Sequence, residues 1–568
     1  MIRSRAQESR AAIEKLYITM RHLFIRGSYK PLGVSGESLI QALHVLQPEI
    51  YGLIIDPERV EINGLLYVLD RLPRGIEECR YIKLISREGY ENSSFENIIP
   101  AKRRRNCYRV DDLQMYVEMT RGRSDIYDIL THLTFLYNEA EKIRRNALDH
   151  KGRETPDWFK LRELVEREER EEECDLEAAY SYLSNVLSRT YEETQEAYQR
   201  FATDPSRHSL FHIVYYLGKL SIEEAQGKDD REVKFSNTLR ERIGHHVYGE
   251  LWANNIKAIL TEKNLITRPV HVISANLHSV VNTIYGYHAL GRSDYSAIEQ
   301  LATDISQNKK TQLADKIQNF ALKHGLTEVV DQSGTNISVQ IIDTAQLPNK
   351  HIAPGIPRPD ADEEQLPVLL VMDYAFGEQA YECMDELLKP YDEEQGSYPL
   401  RIESISIMGK AGILEGSKGD IMIPTAHVFE GTADNYPLEN EVDAQALSGQ
   451  GLEVFEGPMI TVLGTSLQNK EVLRYFFRSS WQAIGLEMEG AHYQKAIQAA
   501  AKIRNSINPE VKLRYAYYAS DNPLETGSTL ASGSLGLEGV KPTYLISFHF
   551  LQQIFSEKSD KVLERMNS

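Results

Sequence analysis

Apolar residues recur every three to four positions over residues 5–25, where Ala12, Ile13, Leu16, Tyr17 and Met20 form one stripe and predict an amphipathic helix. Gly27, Pro31 and Gly33 interrupt the pattern. A second helix is expected from Ser35, whose hydroxyl can cap the free amides of a first turn. Residues 50–110 are mixed, with strand-like segments at 81–85 and 96–100. Ser124 is expected to cap a long helix carrying Ile126, Ile129, Leu130, Leu133 and Leu136. Helical patterns continue through the charge-laced stretch 158–201, pause near Asp204-Pro205, and resume over 208–224 and 233–261.

The pattern changes at Arg268-Pro269. The run Val270-His271-Val272-Ile273-Ser274-Ala275-Asn276 predicts a buried strand entering a helix, and further strands are expected at 337–342, 368–372, 402–408, 421–424, 459–464 and 513–519. Helical patterns fall at 377–388, 470–478, 491–504 and 542–555, while the Pro-, Asp- and Glu-rich stretch 343–366 reads as a surface excursion. Strands alternating with helices argue for an α/β domain with a mostly parallel sheet. The expected organisation is a mixed, mainly α region over 1–150, a helical region over 151–265, and an α/β domain over 266–568.

With 568 residues the chain exceeds a single core, and its 42% hydrophobic and 26% charged residues are ordinary for a globular protein. No apolar run approaches the roughly 20 residues that span a bilayer, and the polar N-terminus lacks the apolar segment of a signal peptide. No membrane partner is therefore expected. Cys79, Cys107, Cys174 and Cys383 lie far apart, which fits a reducing cytoplasm better than a disulfide framework. The net charge of −19 argues against nucleic acid as a partner. One basic cluster, Lys102-Arg103-Arg104-Arg105 with Arg109, Arg121 and Arg123, is read either as a solvated patch or partner for the acidic run at 166–175, or as an anion site. His208/His212 and His245-His246 lack a third ligand at useful spacing, so no metal and no cofactor is expected.

Two motifs carry candidate chemistry. Ile484-Gly485-Leu486-Glu487-Met488-Glu489-Gly490 puts two carboxylates just ahead of a helical pattern, and Ala519-Ser520-Asp521-Asn522-Pro523 puts an acid directly after a strand. A carboxylate can accept paired hydrogen bonds from the vicinal hydroxyls of a ribose. An acid at a strand's carboxyl end can reach a ring nitrogen of a base, and ligands of open α/β sheets bind at those ends. Together they point to an N-glycosidic bond.

These motifs, with the segment 405–414 and then Lys418-Gly419-Asp420-Ile421-Met422-Ile423-Pro424, resemble in order and spacing the signature of the nucleoside phosphorylase superfamily. That superfamily includes purine nucleoside and uridine phosphorylases, methylthioadenosine/adenosylhomocysteine nucleosidases and AMP nucleosidases. The resemblance covers roughly residues 266–556 and implies a three-layer α/β/α domain, preceded here by a mainly helical N-terminal region. It implies Asp521 as general acid on the purine, with a pKa raised by burial. Glu489 would bind the 2′- and 3′-hydroxyls, Met488 would pack on the sugar, and Glu487 would be an additional sugar-contacting acid. Gly409, Lys410, Ala411 and Gly412 are expected to form a turn that lets a ligand approach the backbone. Asn276, His278 and Asn522 complete the expected binding residues.

Two departures shape the expected activity. Phosphorylases of the superfamily show an arginine near the glycine-rich segment, and this chain has Lys410 and no arginine between Ile402 and Gly431. The loop after the first strand, Ser274-Ala275-Asn276-Leu277-His278-Ser279, lacks the water-activating glutamate of methylthioadenosine-type enzymes. The tail Ser520-Asp521-Asn522-Pro523-Leu524 resembles the Ser-Asp-Lys-Pro-Leu of AMP nucleosidases. Hydrolysis of a purine nucleoside or nucleotide by a cytoplasmic homo-oligomer is thus the leading expectation. The alternatives are a phosphorylase that also binds phosphate and a nucleotide sensor without turnover.

Overall fold

The computed structural model describes residues 4–103, 105–172, 175–204, 207–291, 298–307, 311–348, 352–359, 361–393, 396–432, 434–525 and 535–556. Arg104, Cys174 and Pro205 lie outside these residues. Contacts divide the chain into two compact units, Met1–His245 with Ser466–Val472, and His246–Thr465 with Leu473–Ser568. Residue 150, one of the expected boundaries, falls inside the first unit.

The first unit combines helices with a six-stranded sheet. Strands β1 (Ser28–Tyr29), β2 (Tyr81–Ile85), β3 (Glu96–Ile98), β4 (Cys107–Arg109), β5 (Gln114–Glu118) and β6 (Glu232–Phe235) form one sheet in the order β1-β6-β2-β5-β4-β3. The expected helix over 233–261 therefore begins as a strand. Val233 and Phe235 are buried in alternation, the period of a pleated strand, and β6 pairs with both β1 and β2. Helices follow at Asn237–Gly244 and Val247–Glu262.

The helix Arg5–Arg26 forms as expected, with a capping box at Ser4 and a left-handed Gly27 ending it. Two expected caps are not caps. The second helix starts at Val34 behind Gly33, and the long helix Gly122–Ala147 starts behind Arg121, so Ser35 and Ser124 both lie inside their first turns. Three arginines of the basic cluster are spent internally on that long helix. Arg103 makes a bidentate pair with Asp128, buried Arg105 bonds both Asp125 and Asp128, and Arg121 reaches Asp125. These three arginines thus pair with Asp125 and Asp128 rather than with the acidic run at 166–175, and Arg109 pairs with Glu78. These paired arginines hold Asp128 well below the usual carboxylate range despite its burial.

The second unit contains β7 (Val270–Ser274), β8 (Leu326–Val329), β9 (Val339–Asp343), β10 (Val368–Met372), a small hairpin of β11 (Tyr391–Glu393) and β12 (Gly396–Tyr398), β13 (Ile402–Ile413), β14 (Ile421–Phe429), β15 (Asn435–Pro437), β16 (Val454–Thr461), β17 (Gly485–Glu487) and β18 (Lys512–Asp521). Apart from the hairpin they make one ten-stranded sheet, β15-β14-β16-β17-β13-β7-β10-β9-β8, with β18 pairing both β13 and β14. β14, β16, β17, β13 and β18 thereby close a ring.

The sheet is mixed, which corrects the expectation of a mostly parallel one. Its centre, β10-β7-β13-β18, is parallel. Antiparallel pairs come from β8, β9 and β15, from β17 against β13, and from β14 against β18. The short strands β8, β15 and β17 were not expected, because three or four residues carry too little periodicity to be read.

Along β10, Val368, Leu370 and Met372 join one apolar cluster with helical residues such as Trp252, Ile256, Met384 and Ile497. Leu369 and Val371 join another with Val280, Ile284, Phe550 and Ile554. Successive strand residues point to opposite faces, so the sheet is covered by helices on both. None of the described helices is long and apolar enough to cross a membrane.

Candidate active site

The parallel centre of the sheet puts several strand ends side by side, and Asp521 stands at one of them. Ile421 and Met422 pair with Tyr518 and Tyr517, and Ala519 N donates to Asp420 O at 2.8 Å, so β18 is held against β14 up to its last turn of register. Asp420 itself is structural: its carboxylate accepts Ser417 N at 2.8 Å and Glu453 N at 3.0 Å. On its other flank β18 runs beside β13, where Gly412 pairs with Asp521 and also with Leu486 of β17. Asp521 and Leu486 are therefore two strand spacings apart, about 10 Å.

Asp521 is 6% exposed. Ser520 Oγ donates to its Oδ1 and, at 3.0 Å, to Ala411 O. Its Oδ2 accepts no hydrogen bond from any described residue. Burial raises the Asp521 carboxyl above the ordinary aspartate range, while the Ser520 contact and the charges of Lys410 and Lys418 oppose that rise. A carboxyl with one oxygen held and the other unengaged is suited to carry a transferable proton.

Glu487 ends β17, and Glu489 precedes the helix Gly490–Gln498. Glu487 is 5% exposed and both its oxygens are occupied. Thr461 Oγ1 donates to Oε1 at 2.5 Å and accepts from Ala491 N at 3.0 Å, while the amides of Glu489 and Gly490 donate to Oε2. Glu487 thus ties β16, β17 and the helix start into one turn. That turn is tight, since a Cβ on Gly490 would run into the His427 ring and the Tyr517 hydroxyl. Glu489 does not cap its own helix. Its Oε1 instead accepts Gly377 N at 2.8 Å.

That contact draws in the loop after β10, which sequence reasoning missed. Asp373 N donates to Ser338 O at 2.9 Å, and Tyr374 lies near Tyr518 and Asn276. The Tyr493 hydroxyl meets Ser274 Oγ at 3.2 Å. Asp373 lies within electrostatic reach of His278, and burial raises its carboxyl above the ordinary range. Its signal was available: like Asp521, it is an acid directly after an apolar strand, Val-Leu-Leu-Val-Met. The loop ties the end of β10 to Ser338 and to Glu489.

The remaining expected residues divide. Gly409, Lys410, Ala411 and Gly412 are not a turn but lie inside β13, and neither glycine has a positive φ. Gly409 supplies space, since a Cβ there would stand 2.7 Å from the Tyr517 ring. Positive φ occurs later, at Gly416 and Gly419, in the connection to β14. Lys410 is exposed, opposite Tyr518. Asn276 caps the helix Leu277–Leu290 through Ser279 N at 3.2 Å, and His278 is exposed in its first turn. Asn522 closes its own loop onto Gly416 O and Leu524 N. Met488 is half-buried between the two glutamates.

The Glu487 turn has a measurable consequence. Burial pushes its carboxyl up to about 7, against the pull of Thr461 and the two amides. The folded chain then holds a proton that the unfolded chain releases near pH 4.3. Stability contributed by this group is full below that value and is lost as pH rises to about 7, on the order of 3 kcal/mol. Glu487→Gln should remove this slope between pH 4.5 and 7, as read by melting temperature against pH. An unchanged slope would mean Glu487 is ionised throughout.

The chain belongs to a family of unknown function, DUF6909, whose model matches residues 37–321 and 295–556. No curated protein matches the sequence. Among solved structures it is similar to 5'-methylthioadenosine/S-adenosyl homocysteine nucleosidase of Campylobacter jejuni, at 11% identity and a TM-score of 0.31, over 51% of this chain and 99% of that one. It is also similar to futalosine hydrolase of Helicobacter pylori, at 12% identity and a TM-score of 0.30, over 51% and 97%. A uridine phosphorylase of Schistosoma mansoni, solved with thymine, aligns at 13% identity and a TM-score of 0.29, over 54% and 90%.

Proposed function

We propose that the second unit hydrolyses the N-glycosidic bond of a purine nucleoside or nucleotide, in the manner of AMP nucleosidases. Asp521 Oδ2 delivers a proton to N7 of the departing base, and Glu489 accepts hydrogen bonds from the ribose hydroxyls while offsetting positive charge on the sugar. The observation that carries this reading is the unengaged, buried Oδ2 of Asp521, on a strand that shares Gly412 with the strand leading to Glu489. Met488 packs on the sugar. Glu487 acts as a positioning residue that sets the turn presenting Met488 and Glu489.

Asp373 fills the role for which the first-strand loop offers no acid. Its carboxylate takes a proton from the water that attacks the anomeric carbon, with His278 within electrostatic reach. The bond to the base breaks as the water oxygen adds, giving free purine and a free sugar or sugar phosphate. The N-terminal region serves as a regulatory or oligomerisation module of a cytoplasmic homo-oligomer.

The lysine in place of an arginine favours water over phosphate as the nucleophile. Base release is therefore expected to proceed undiminished in phosphate-free buffer, yielding sugar with a free anomeric hydroxyl. Strict dependence on phosphate, with sugar 1-phosphate as product, would make the protein a phosphorylase.

A further inference from the structure

His208 and His212 were expected to stand without further ligands, and the fold overturns this. Among the described residues, Glu77, Glu78, His208 and His212 each offer one ligand atom, all within 4.8 Å of one another. His208 Nδ1 lies 2.6 Å from Glu77 Oε1 and 3.6 Å from Glu78 Oε1, and His212 Nε2 lies 2.7 Å from Glu78 Oε1. Sequence reasoning missed the group because its halves are about 130 residues apart.

We propose that these four side chains form a first-row divalent cation site in the first unit, with zinc as the fitting ion. Bonds of about 2.0–2.2 Å to imidazole nitrogen and carboxylate oxygen put tetrahedral ligand atoms about 3.3 Å apart. The present separations bracket that value, so small side-chain movements admit an ion at the centre. Two imidazoles select against calcium and magnesium, which prefer oxygen alone.

The surroundings orient the ligands. Arg109 Nη2 donates to Glu78 Oε2 at 2.7 Å, which leaves Oε1 turned to both histidines, and its Nη1 is anchored on Gly75 O at 2.8 Å. His212 Nδ1 lies 3.9 Å from Glu169 Oε1, which accepts the Tyr216 hydroxyl at 2.8 Å. Ser209 caps the helix Leu210–Ala225 between the two histidines and donates to Glu168 Oε2 at 2.7 Å. A cavity of about 240 Å³ beside the group is lined by Glu77, His208, Asp70, Arg74 and Arg207. An ion here clamps the segment Ile76–Glu78 to the start of that helix, and this site is independent of the proposed glycosidase chemistry.

The test uses the full-length protein after chelator treatment, titrated calorimetrically with zinc chloride and separately with cobalt chloride. The expected result is one zinc per chain, visible cobalt absorption of a four-coordinate N/O site, and a raised melting temperature. His212→Gln and Glu77→Gln should each weaken zinc at least tenfold and remove the cobalt bands. Failure of the chelated wild-type protein to take up one equivalent overturns the proposal without any variant having to fold. Zinc uptake unchanged in both variants overturns it equally.

Discussion

Replacing Asp521 with asparagine is expected to abolish base release while leaving substrate affinity nearly intact. The amide keeps the shape of the side chain, and its oxygen can still accept from Ser520 as Oδ1 does now. Its nitrogen then occupies the place of Oδ2 and cannot deliver a proton to the purine. Losing one general acid costs about 10²–10⁴ in rate, so kcat should fall by that factor with KM little changed. In the unsubstituted protein, kcat should decline as pH rises through the elevated Asp521 value, because the acid is then ionised. The variant should lose that limb of the profile. Turnover near the original level would reduce Asp521 to the end of a strand.

Glu489→Gln is expected to impair both binding and turnover. A glutamine oxygen can still accept Gly377 N, so the link to the loop after β10 survives. The charge does not, and hydrogen bonds to charged groups are worth about 1.5–3 kcal/mol, or 10–150-fold in kcat/KM. The loss falls more on the transition state, where the sugar is cationic. A 2′-deoxy substrate offers one hydroxyl fewer and should suffer less, which narrows the ratio of ribo- to deoxyribo-activity. Equal, unchanged kinetics on both sugars would place Glu489 outside the binding site.

What could be read in advance depended on how local the information was. The strand Val368–Met372 was legible as a continuous apolar run, and Val270–Ser274 as a β-branched segment behind Arg268-Pro269. That Asp521 ends a strand and that the Glu-Met-Glu-Gly motif precedes a helix were legible because each pattern sits within a few residues. The glycines at 409 and 412 were misread as a turn, since a glycine that makes room for a ring looks in sequence like one that bends the chain. Gly409 faces Tyr517, more than a hundred residues away. The division of labour between the two glutamates was also hidden. Only the fold brings Thr461 to Glu487 and Gly377 to Glu489, which separates a carboxylate that shapes a turn from one that reaches across to the loop. The arginines at 103 and 105 looked like a surface patch because their partners, Asp125 and Asp128, lie one helix later.

Cleavage of a purine from ribose is the central reaction proposed for the second unit. The most direct test is incubation of the full-length protein with adenine and guanine nucleosides and their 5′-monophosphates, followed by chromatography for free base and sugar. Release of free purine with an equal amount of ribose or ribose 5-phosphate, lost in Asp521→Asn, is the predicted result. Tight binding of a nucleotide with no base released from any of them would contradict it and make the protein a sensor.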